Sequence, residues 1–185
     1  MNKDHIEIRW HGRGGQGAIT AAKIVAGAAF ASGYEGVVMA PTFGTERRGA
    51  PVMTSLKISR KKIYDLTPIE QPDIVVVLDH LLLTEADVTH GLKPEGIIVL
   101  NTPMAHDSYR FKNYHLATAD ITAISVEAGL PHGMINTGII GELEKVTNLL
   151  GIDLLIQGIE EEFRTRKPQN NSLAAKIAFE RTVAG

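Results

Sequence analysis

The hydrophobic positions of this chain follow two different periods, which predict both strands and helices. In residues 5–10 (HIEIRW) the apolar side chains recur at every second position, and residues 52–59 (VMTSLKIS) alternate in the same way. A period of two predicts strands that bury one face. Residues 74–78 (IVVVL) are continuously apolar, which predicts a strand buried on both faces.

The segments beside these strands complete an alternating order of strands and helices. Residues 18–32 are rich in alanine and predict a helix that stops at Gly33. Residues 34–40 (YEGVVMA) predict the next strand, so the chain begins with a strand–helix–strand unit whose strands we expect to be adjacent. After residues 52–59, the sequence RK followed by residues 62–66 (KIYDL) predicts an antiparallel hairpin.

Further along the chain, residues 80–91 predict a short helix. Residues 95–101 and 113–118 predict strands, the second one weaker. The C-terminal third has the helical period, carried by Ile139, Leu143, Val146, Leu150, Leu155, Ile159 and Phe163.

Two details concern the ends of the C-terminal helices. Asp153 is a candidate cap of the helix that contains Leu155. Residues 167–172 (KPQNNS) predict a break before a last helix over residues 172–183. The order of elements predicts an α/β, Rossmann-like three-layer fold with a mainly parallel sheet, an antiparallel hairpin and a helical C-terminal third.

Composition narrows the classes of protein that are compatible with this pattern. The chain has 185 residues, which suits a single domain over residues 1–185, and its net charge of −2 gives no general attraction to nucleic acid or to an anionic membrane. No apolar run approaches the ~20 residues of a membrane span. We therefore expect a cytoplasmic protein that binds neither nucleic acid nor a membrane.

The candidate metal ligands are few. The chain has no cysteine, so it cannot ligate an iron–sulfur cluster or zinc through thiolates. The seven histidines show no spacing typical of a metal site, and only His11 borders a segment with a candidate function. We predict no metal site in this chain.

The segment GRGGQG, residues 12–17, is the first candidate site and is called the glycine turn below. It contains the spacing Gly-x-Gly-x-x-Gly and lies between a predicted strand and a predicted helix. Backbone N–H groups at such a helix start favour an anion, and glycine lets a ligand approach the backbone. The pattern is typical of dinucleotide sites.

A dinucleotide site also needs an acidic residue at the end of the second strand, where it holds the ribose. That strand ends in VVMAPTF, and the nearest acid, Glu35, lies at its beginning. Three interpretations therefore stay open at this point. The glycine turn binds NAD(P) or FAD, it only forms a tight turn that packs the helix on the sheet, or it contacts another phosphate or a partner subunit.

A second candidate site is the arginine turn, residues 41–52 (PTFGTERRGAPV). It follows the second strand, so we expect it at the same edge of the sheet as the glycine turn. Arg47 and Arg48 offer planar guanidinium groups that bind carboxylate or phosphate through two hydrogen bonds, and Glu46 lies beside them. The alternative is a solvated charged turn whose ion pair contributes ~0–1 kcal/mol.

Both turns resemble a known family. GRGGQGAITAAKIVAGAAFASG followed by PTFGTERRGAPV is similar to the gamma subunit of 2-oxoacid:ferredoxin oxidoreductases, especially the pyruvate type. DIVVVLDHLLL, GLKPEGIIVLNT and NTGIIGEL follow in the order of the family, so the resemblance runs from about Ile6 to Phe163. Thr45 is a departure, because proline is expected at this position.

The resemblance implies a role in a multisubunit enzyme. Members of the family oxidise a 2-oxoacid with coenzyme A as co-substrate to acyl-CoA and carbon dioxide, and ferredoxin accepts the electrons. Thiamine diphosphate and Mg lie between the alpha and beta chains, and [4Fe-4S] clusters lie on the beta and delta chains. The gamma chain has no redox centre of its own, and the ERRGAP sequence favours pyruvate over 2-oxoisovalerate.

The resemblance also implies where this chain contributes to the complex. Both turns are expected to dock at the thiamine and coenzyme A region, with the arginines holding an anionic group. The implied cofactor-binding residues are Gly12, Arg13, Gly14, Gly15, Gln16, Gly17, Gly44, Thr45, Glu46, Arg47 and Arg48. The alternatives are a free-standing NAD(P)-dependent oxidoreductase of the Rossmann type and a nucleotide-binding regulatory module.

Overall fold

The computed structural model describes residues 4–42 and 48–185. Within these residues, one sheet of seven strands has the order β2-β3-β1-β4-β5-β6-β7. Its strands are β1 (His5–Arg13), β2 (Gly36–Thr42), β3 (Pro51–Ser59), β4 (Ile74–Val77), β5 (Ile97–Asn101), β6 (His115–Ala119) and β7 (Val183–Ala184). The four strands β1, β4, β5 and β6 are parallel, while β2, β3 and β7 join the sheet in antiparallel pairs. The predicted α/β fold is confirmed.

Helices cover the two faces of the sheet unequally. The helices are α1 (Ala18–Ala31), α2 (Leu82–Glu85), α3 (Ile121–Glu127), α4 (Gly138–Thr147), α5 (Ile152–Glu162) and α6 (Pro168–Arg181). The main core joins α1, α3, α4, α5 and α6 to the apolar side chains on one face of the strands. On the other face, α2 and the connecting segments pack only against β4, β5 and β6. No helix of the described chain is long and apolar enough to cross a membrane.

The predicted hairpin of residues 52–59 with residues 62–66 does not form, although residues 52–59 lie in an antiparallel strand, β3. β3 pairs with β2 on one side and with β1 on the other. It therefore separates β1 from β2, which we expected to be adjacent. Residues 62–66 form no strand, because the chain leaves the sheet after Ser59 and Ile63 packs where Gly36 has no side chain. A Cβ atom at Gly36 would lie 2.7 Å from Cγ1 of Ile63.

Three predicted helix boundaries are wrong. The α2 helix ends at Glu85, well before Gly91. The segment KPQNNS does not break the chain, because α6 already begins at Pro168, a residue that suits the first helical position. Asp153 does not cap α5, since the N-cap is Gly151 and no side chain caps it. The short α3 and β7 were not predicted, because neither is long enough to show a period.

Candidate functional site

The glycine turn and the arginine turn lie side by side at the carboxyl end of β1. The N–H of Gly14 donates to the carbonyl oxygen of Ala50 at 2.8 Å, and the N–H of Gly49 donates to that of Gly14 at 3.0 Å. The pairing of β1 with β3 ends here, with Arg13 opposite Pro51. The expectation that both turns share one edge is therefore confirmed, although β3 lies between their parent strands.

The conformation of the glycine turn requires glycine at two positions. Gly15 has φ +96° and Gly17 has φ +82°, in the left-handed region that favours glycine. Gly17 is also the N-cap of α1, and a Cβ atom there would lie 2.9 Å from Cβ of Asn136. The chain therefore turns sharply into α1 and packs closely against the start of α4.

Part of the hydrogen-bonding capacity of the glycine turn is used by the turn itself. The N–H of Arg13 donates to Oε1 of Gln16 at 2.8 Å, and the N–H of Gln16 donates to the carbonyl oxygen of Arg13 at 3.0 Å. The N–H groups of Gly15 and Gly17 have no acceptor in the described chain. These two groups, together with the start of the 14-residue α1, can still bind an anion.

The side chain of Arg13 binds acidic residues of the same chain. Its Nε donates to Asp79 at 2.6 Å, and Nη1 and Nη2 donate to the carboxylate of Glu85 at 3.0 and 2.5 Å. A longer bond of 3.3 Å joins Nη1 to the carbonyl oxygen of Gly49. The hydrogen bonds to Glu85 and Asp79 raise the pKa of Arg13 above its usual value. Arg13 thus ties the two turns to the end of β4 and to α2.

Asp79 makes two contacts at the end of β4. One oxygen accepts from Arg13, and the other accepts from the N–H of Leu81 at 3.0 Å. Burial acts to raise the pKa of Asp79, but the hydrogen bonds from Arg13 and Leu81 outweigh it and lower the pKa. Asp79 is therefore a carboxylate that organises the turn after β4.

Arg48 is the described arginine of the arginine turn. It is exposed and forms neither a hydrogen bond nor an ion pair with the part of the chain that the structure describes. Gly44, Thr45, Glu46 and Arg47 lie outside the described residues. A pocket of about 360 Å³, called the turn pocket below, joins the two turns. It is lined by Arg13, Gly14, Gly15, Gly17, Ala18, Ile19, Arg48 and Val52.

A larger cleft lies at the carboxyl ends of β4, β5 and β6, where open α/β sheets hold ligands. Its volume is about 760 Å³, and we call it the strand-end cleft. Its lining is Gln16, Leu78, Asp79, His80, Asn101, Pro103, Asp120, Thr122, Ala123, Val126, Glu127, His132, Gly133 and Ile135. The sequence analysis did not predict this cleft, because much of its wall comes from the unpredicted α3.

The polar groups of the strand-end cleft suit neutral or cationic groups. Three of the lining residues are carboxylates, and the lining contains no lysine or arginine. Asp120 caps α3 through the N–H of Ala123 at 2.8 Å. Asn101 is occupied too, because its Nδ2 donates to the carbonyl oxygen of Leu78 and its Oδ1 accepts from the N–H of Ile121. Asp79 and Glu127 are paired with Arg13 and Arg181, and the lining offers a pyrophosphate no lysine or arginine, which disfavours a dinucleotide.

Metal ligands do not gather in the described residues. No group of three or more His, Asp or Glu side chains in residues 4–42 and 48–185 has an arrangement that could hold a metal ion. The anion-binding groups of the site are the free N–H groups of the glycine turn and the guanidinium of Arg48.

Comparison with known proteins gives consistent similarities over nearly the whole chain. Residues 7–181 match the family described as pyruvate ferredoxin/flavodoxin oxidoreductase. The common subunit gamma of the pyruvate/ketoisovalerate oxidoreductases of Pyrococcus furiosus is 45% identical over 182 residues, covering 96% of this chain and 97% of that protein. Pyruvate synthase subunit PorC of Methanothermobacter marburgensis is 44% identical over 176 residues, covering 95% of this chain and 97% of that protein.

A solved structure shows the same fold. The crystal structure of pyruvate oxidoreductase subunit PORC from Thermotoga maritima superposes with a TM-score of 0.84 at 32% identity, covering 98% of this chain and 99% of the other. This chain therefore belongs to the pyruvate ferredoxin/flavodoxin oxidoreductase family.

Proposed function

We propose that this chain is the gamma subunit of a complex that oxidatively decarboxylates pyruvate with coenzyme A and reduces ferredoxin. The similarity to gamma and PorC subunits over nearly the whole chain supports this function. We also propose that residues 1–185 form a single gamma-type domain. The Pyrococcus furiosus relative is named a common subunit of pyruvate and ketoisovalerate oxidoreductases, which suits a chain that leaves the choice of 2-oxoacid mainly to its partners.

The proposed partners are alpha, beta and delta subunits, with ferredoxin as electron acceptor. Thiamine diphosphate with Mg supplies the carbanion chemistry on the alpha and beta chains. We assign the [4Fe-4S] clusters to the beta and delta chains, because this chain has no cysteine to ligate them. This chain contributes binding groups to the assembled site rather than a catalytic acid or base.

The proposal that coenzyme A binds to this chain rests on the turn pocket. Coenzyme A is a polyanion, and the turn pocket combines the positive end of α1 with N–H groups and an Arg48 guanidinium that have no partner among the described residues. The full set of proposed binding residues is the glycine turn and Gly44, Thr45, Glu46, Arg47 and Arg48. Within this set, Arg13 and Gln16 act by holding the turns in place, because their described contacts are internal.

The alternative of a free-standing NAD(P)-dependent oxidoreductase finds no support in the geometry. The strand next to β1 is β3, so β2 does not bring an acid to the ribose position of a dinucleotide site. The strand-end cleft, where the dinucleotide would extend, has an acidic lining.

The proposal is tested by replacing Arg47 and Arg48 with alanine in the complete complex. We expect intact assembly and a Michaelis constant for coenzyme A raised by about tenfold or more, because each lost charge-assisted hydrogen bond contributes ~1.5–3 kcal/mol. The Michaelis constant for pyruvate should stay unchanged. Arg164→Ala with Arg166→Ala is the matched control, since both lie near the end of α5, away from the turns. Unchanged kinetics for coenzyme A would contradict the assignment of the arginines.

A further inference from the structure

An arm, residues 60–68, lies on the face of the sheet that carries only the short helix α2. It begins after β3 and lies over the side of β3 that carries Lys57, opposite the apolar side chains that pack under α1. Nζ of Lys57 donates to Asp65 at 3.1 Å. The arm therefore forms the cover of this half of the sheet, where the other half has α2 and its neighbouring segments.

The side chains of the arm alternate between the sheet and the outside. Ile63 packs against Gly36 and points inward, and Asp65 reaches back to Lys57 although its side chain is 64% exposed. Tyr64 is 85% exposed and Leu66 is 72% exposed, which places both outward. Lys62 precedes them at the same period of two and is also exposed. The outward face of the arm thus presents a basic, an aromatic and an aliphatic side chain in one row.

The arm is held in a fixed position although it is not a strand. Asp65 accepts hydrogen bonds from the N–H and the hydroxyl of Thr67, both at 2.9 Å, as well as from Lys57. These hydrogen bonds lower the pKa of Asp65 to about 2, and the one from the Thr67 N–H has the largest effect. Further along, Ile69 is buried. A segment fixed on its inner side loses little conformational freedom when its outer side binds, which favours association.

Some backbone groups and both lysine side chains of the arm form no hydrogen bond or ion pair within the described residues. No backbone hydrogen bond joins residues 62–66 to the rest of the described chain. Arg60 is engaged, with its guanidinium 3.9 Å from the ring centre of Tyr34. Lys61 and Lys62 are exposed and form no ion pair within residues 4–42 and 48–185. The free charge on the arm is therefore positive.

We propose that the outward face of the arm docks onto a partner subunit of the complex, at an acidic surface that contains an apolar pocket for Tyr64 and Leu66. This inference rests on the proposed function, which supplies the partner chains. An aromatic and an aliphatic side chain flanked by Lys61 and Lys62, which form no ion pair within the described residues, are typical of a protein interface with a buried centre and a charged rim. The charges attract an acidic partner, and the apolar side chains supply the buried contact.

The experiment measures the affinity of the full chain for a purified subcomplex of the alpha, beta and delta subunits. Tyr64→Ala with Leu66→Ala should raise the dissociation constant by about tenfold or more. Lys61→Glu with Lys62→Glu should raise it by a similar factor at about 0.05 M salt, and much less at about 0.5 M salt, where exposed charges are screened. Leu173→Ala with Lys176→Glu, on the exposed side of α6, is the matched control and should leave the constant unchanged.

The outcomes separate this inference from the proposed function. If the wild-type chain binds the subcomplex and both arm variants bind equally well, the docking role of the arm is wrong and the proposed function stands. If the wild-type chain does not bind, the proposed function is wrong and the inference falls with it. A wild-type homodimer that the arm variants convert to monomers would show that a second copy covers the arm, which also contradicts the proposal.

Discussion

His11 illustrates how a single residue near the glycine turn depends on its neighbours. Its Nε2 lies 3.0 Å from Nε of Arg9, which donates the hydrogen bond. Arg9 in turn donates through Nη2 to the carbonyl oxygens of Val88 and His90. Burial and then the positive charge of Arg9 lower the pKa of His11 to about 4. A protonated His11 could not accept from Arg9, so the contact exists only with neutral histidine.

This contact predicts that acid destabilises the chain through His11. The unfolded state binds the proton near pH 6.5 and the folded state near pH 4, so stability is lost as the pH falls through this window. At pH 5 this difference in proton binding lowers the free energy of unfolding by about 2 kcal/mol. His11→Gln keeps an acceptor for Arg9 at every pH, so its loss of stability from pH 7 to pH 5 should be smaller by that amount. Urea unfolding of both proteins at the two pH values measures the difference, and equal losses would contradict the assignment.

At the scale of elements, glycines set how closely the C-terminal helices approach each other. A Cβ atom at Gly141 in α4 would overlap the carbonyl oxygen of Ala175 in α6 and lie 2.8 Å from its carbonyl carbon. The two helices thus meet backbone to backbone. At Gly158 in α5 the nearest atom to an added Cβ is Cγ2 of Ile24 at 3.4 Å, which a side chain can accommodate. The two glycines look alike in sequence, and only the packing distinguishes them.

The different packing predicts different costs for the same substitution. Gly141→Ala forces α4 and α6 apart and should lower the free energy of unfolding by ~2–4 kcal/mol. Gly158→Ala is the control, where the gain in helix propensity of up to ~1 kcal/mol offsets any slight crowding. Thermal and urea unfolding of the two variants provides the comparison. Similar stabilities would mean that the α4–α6 contact is looser than the structure indicates.

At the scale of the whole molecule, two neighbouring cavities differ in the charge of the residues that line them. The turn pocket has the exposed Arg48 and free N–H groups, whereas the strand-end cleft has three carboxylates. The ion pairs of Arg13 with Asp79 and Glu85 lie between them and hold the turns against β4 and α2. We therefore expect an anionic ligand at the turn pocket rather than in the acidic cleft that a Rossmann enzyme would use for a dinucleotide.

The difference in charge between the two cavities predicts how the isolated chain responds to nicotinamide nucleotides. NADH and NADPH should show no saturable binding in fluorescence titrations, with any dissociation constant weaker than ~1 mM. The reason is that the lining of the strand-end cleft has three carboxylates and no lysine or arginine to bind a pyrophosphate. A dissociation constant in the micromolar range would instead support the free-standing oxidoreductase.

The local patterns of the sequence were sufficient for most strands and for α1, because a period of two, a continuous apolar run and an Ala-rich stretch each reflect burial directly. They failed where partners far along the chain decide the outcome. Residues 62–66 have a strand-like sequence, but β3 already pairs with β1 on one side and with β2 on the other. No free edge of β3 therefore remains for them. The Arg13 guanidinium has the chemistry of a ligand donor, yet Asp79 and Glu85, more than 60 residues away, bind it.

The sequence by itself determined the family, the α/β class and the two turns, because these depend on residue types at short spacings. Only the tertiary structure decided which strands are neighbours, that both turns meet through Gly14, Gly49 and Ala50, and that an acidic cleft lies beside them. The physical reason is that hydrogen bonds and charges act through space. Their partners are chosen by the packed fold, which no local pattern of the chain encodes.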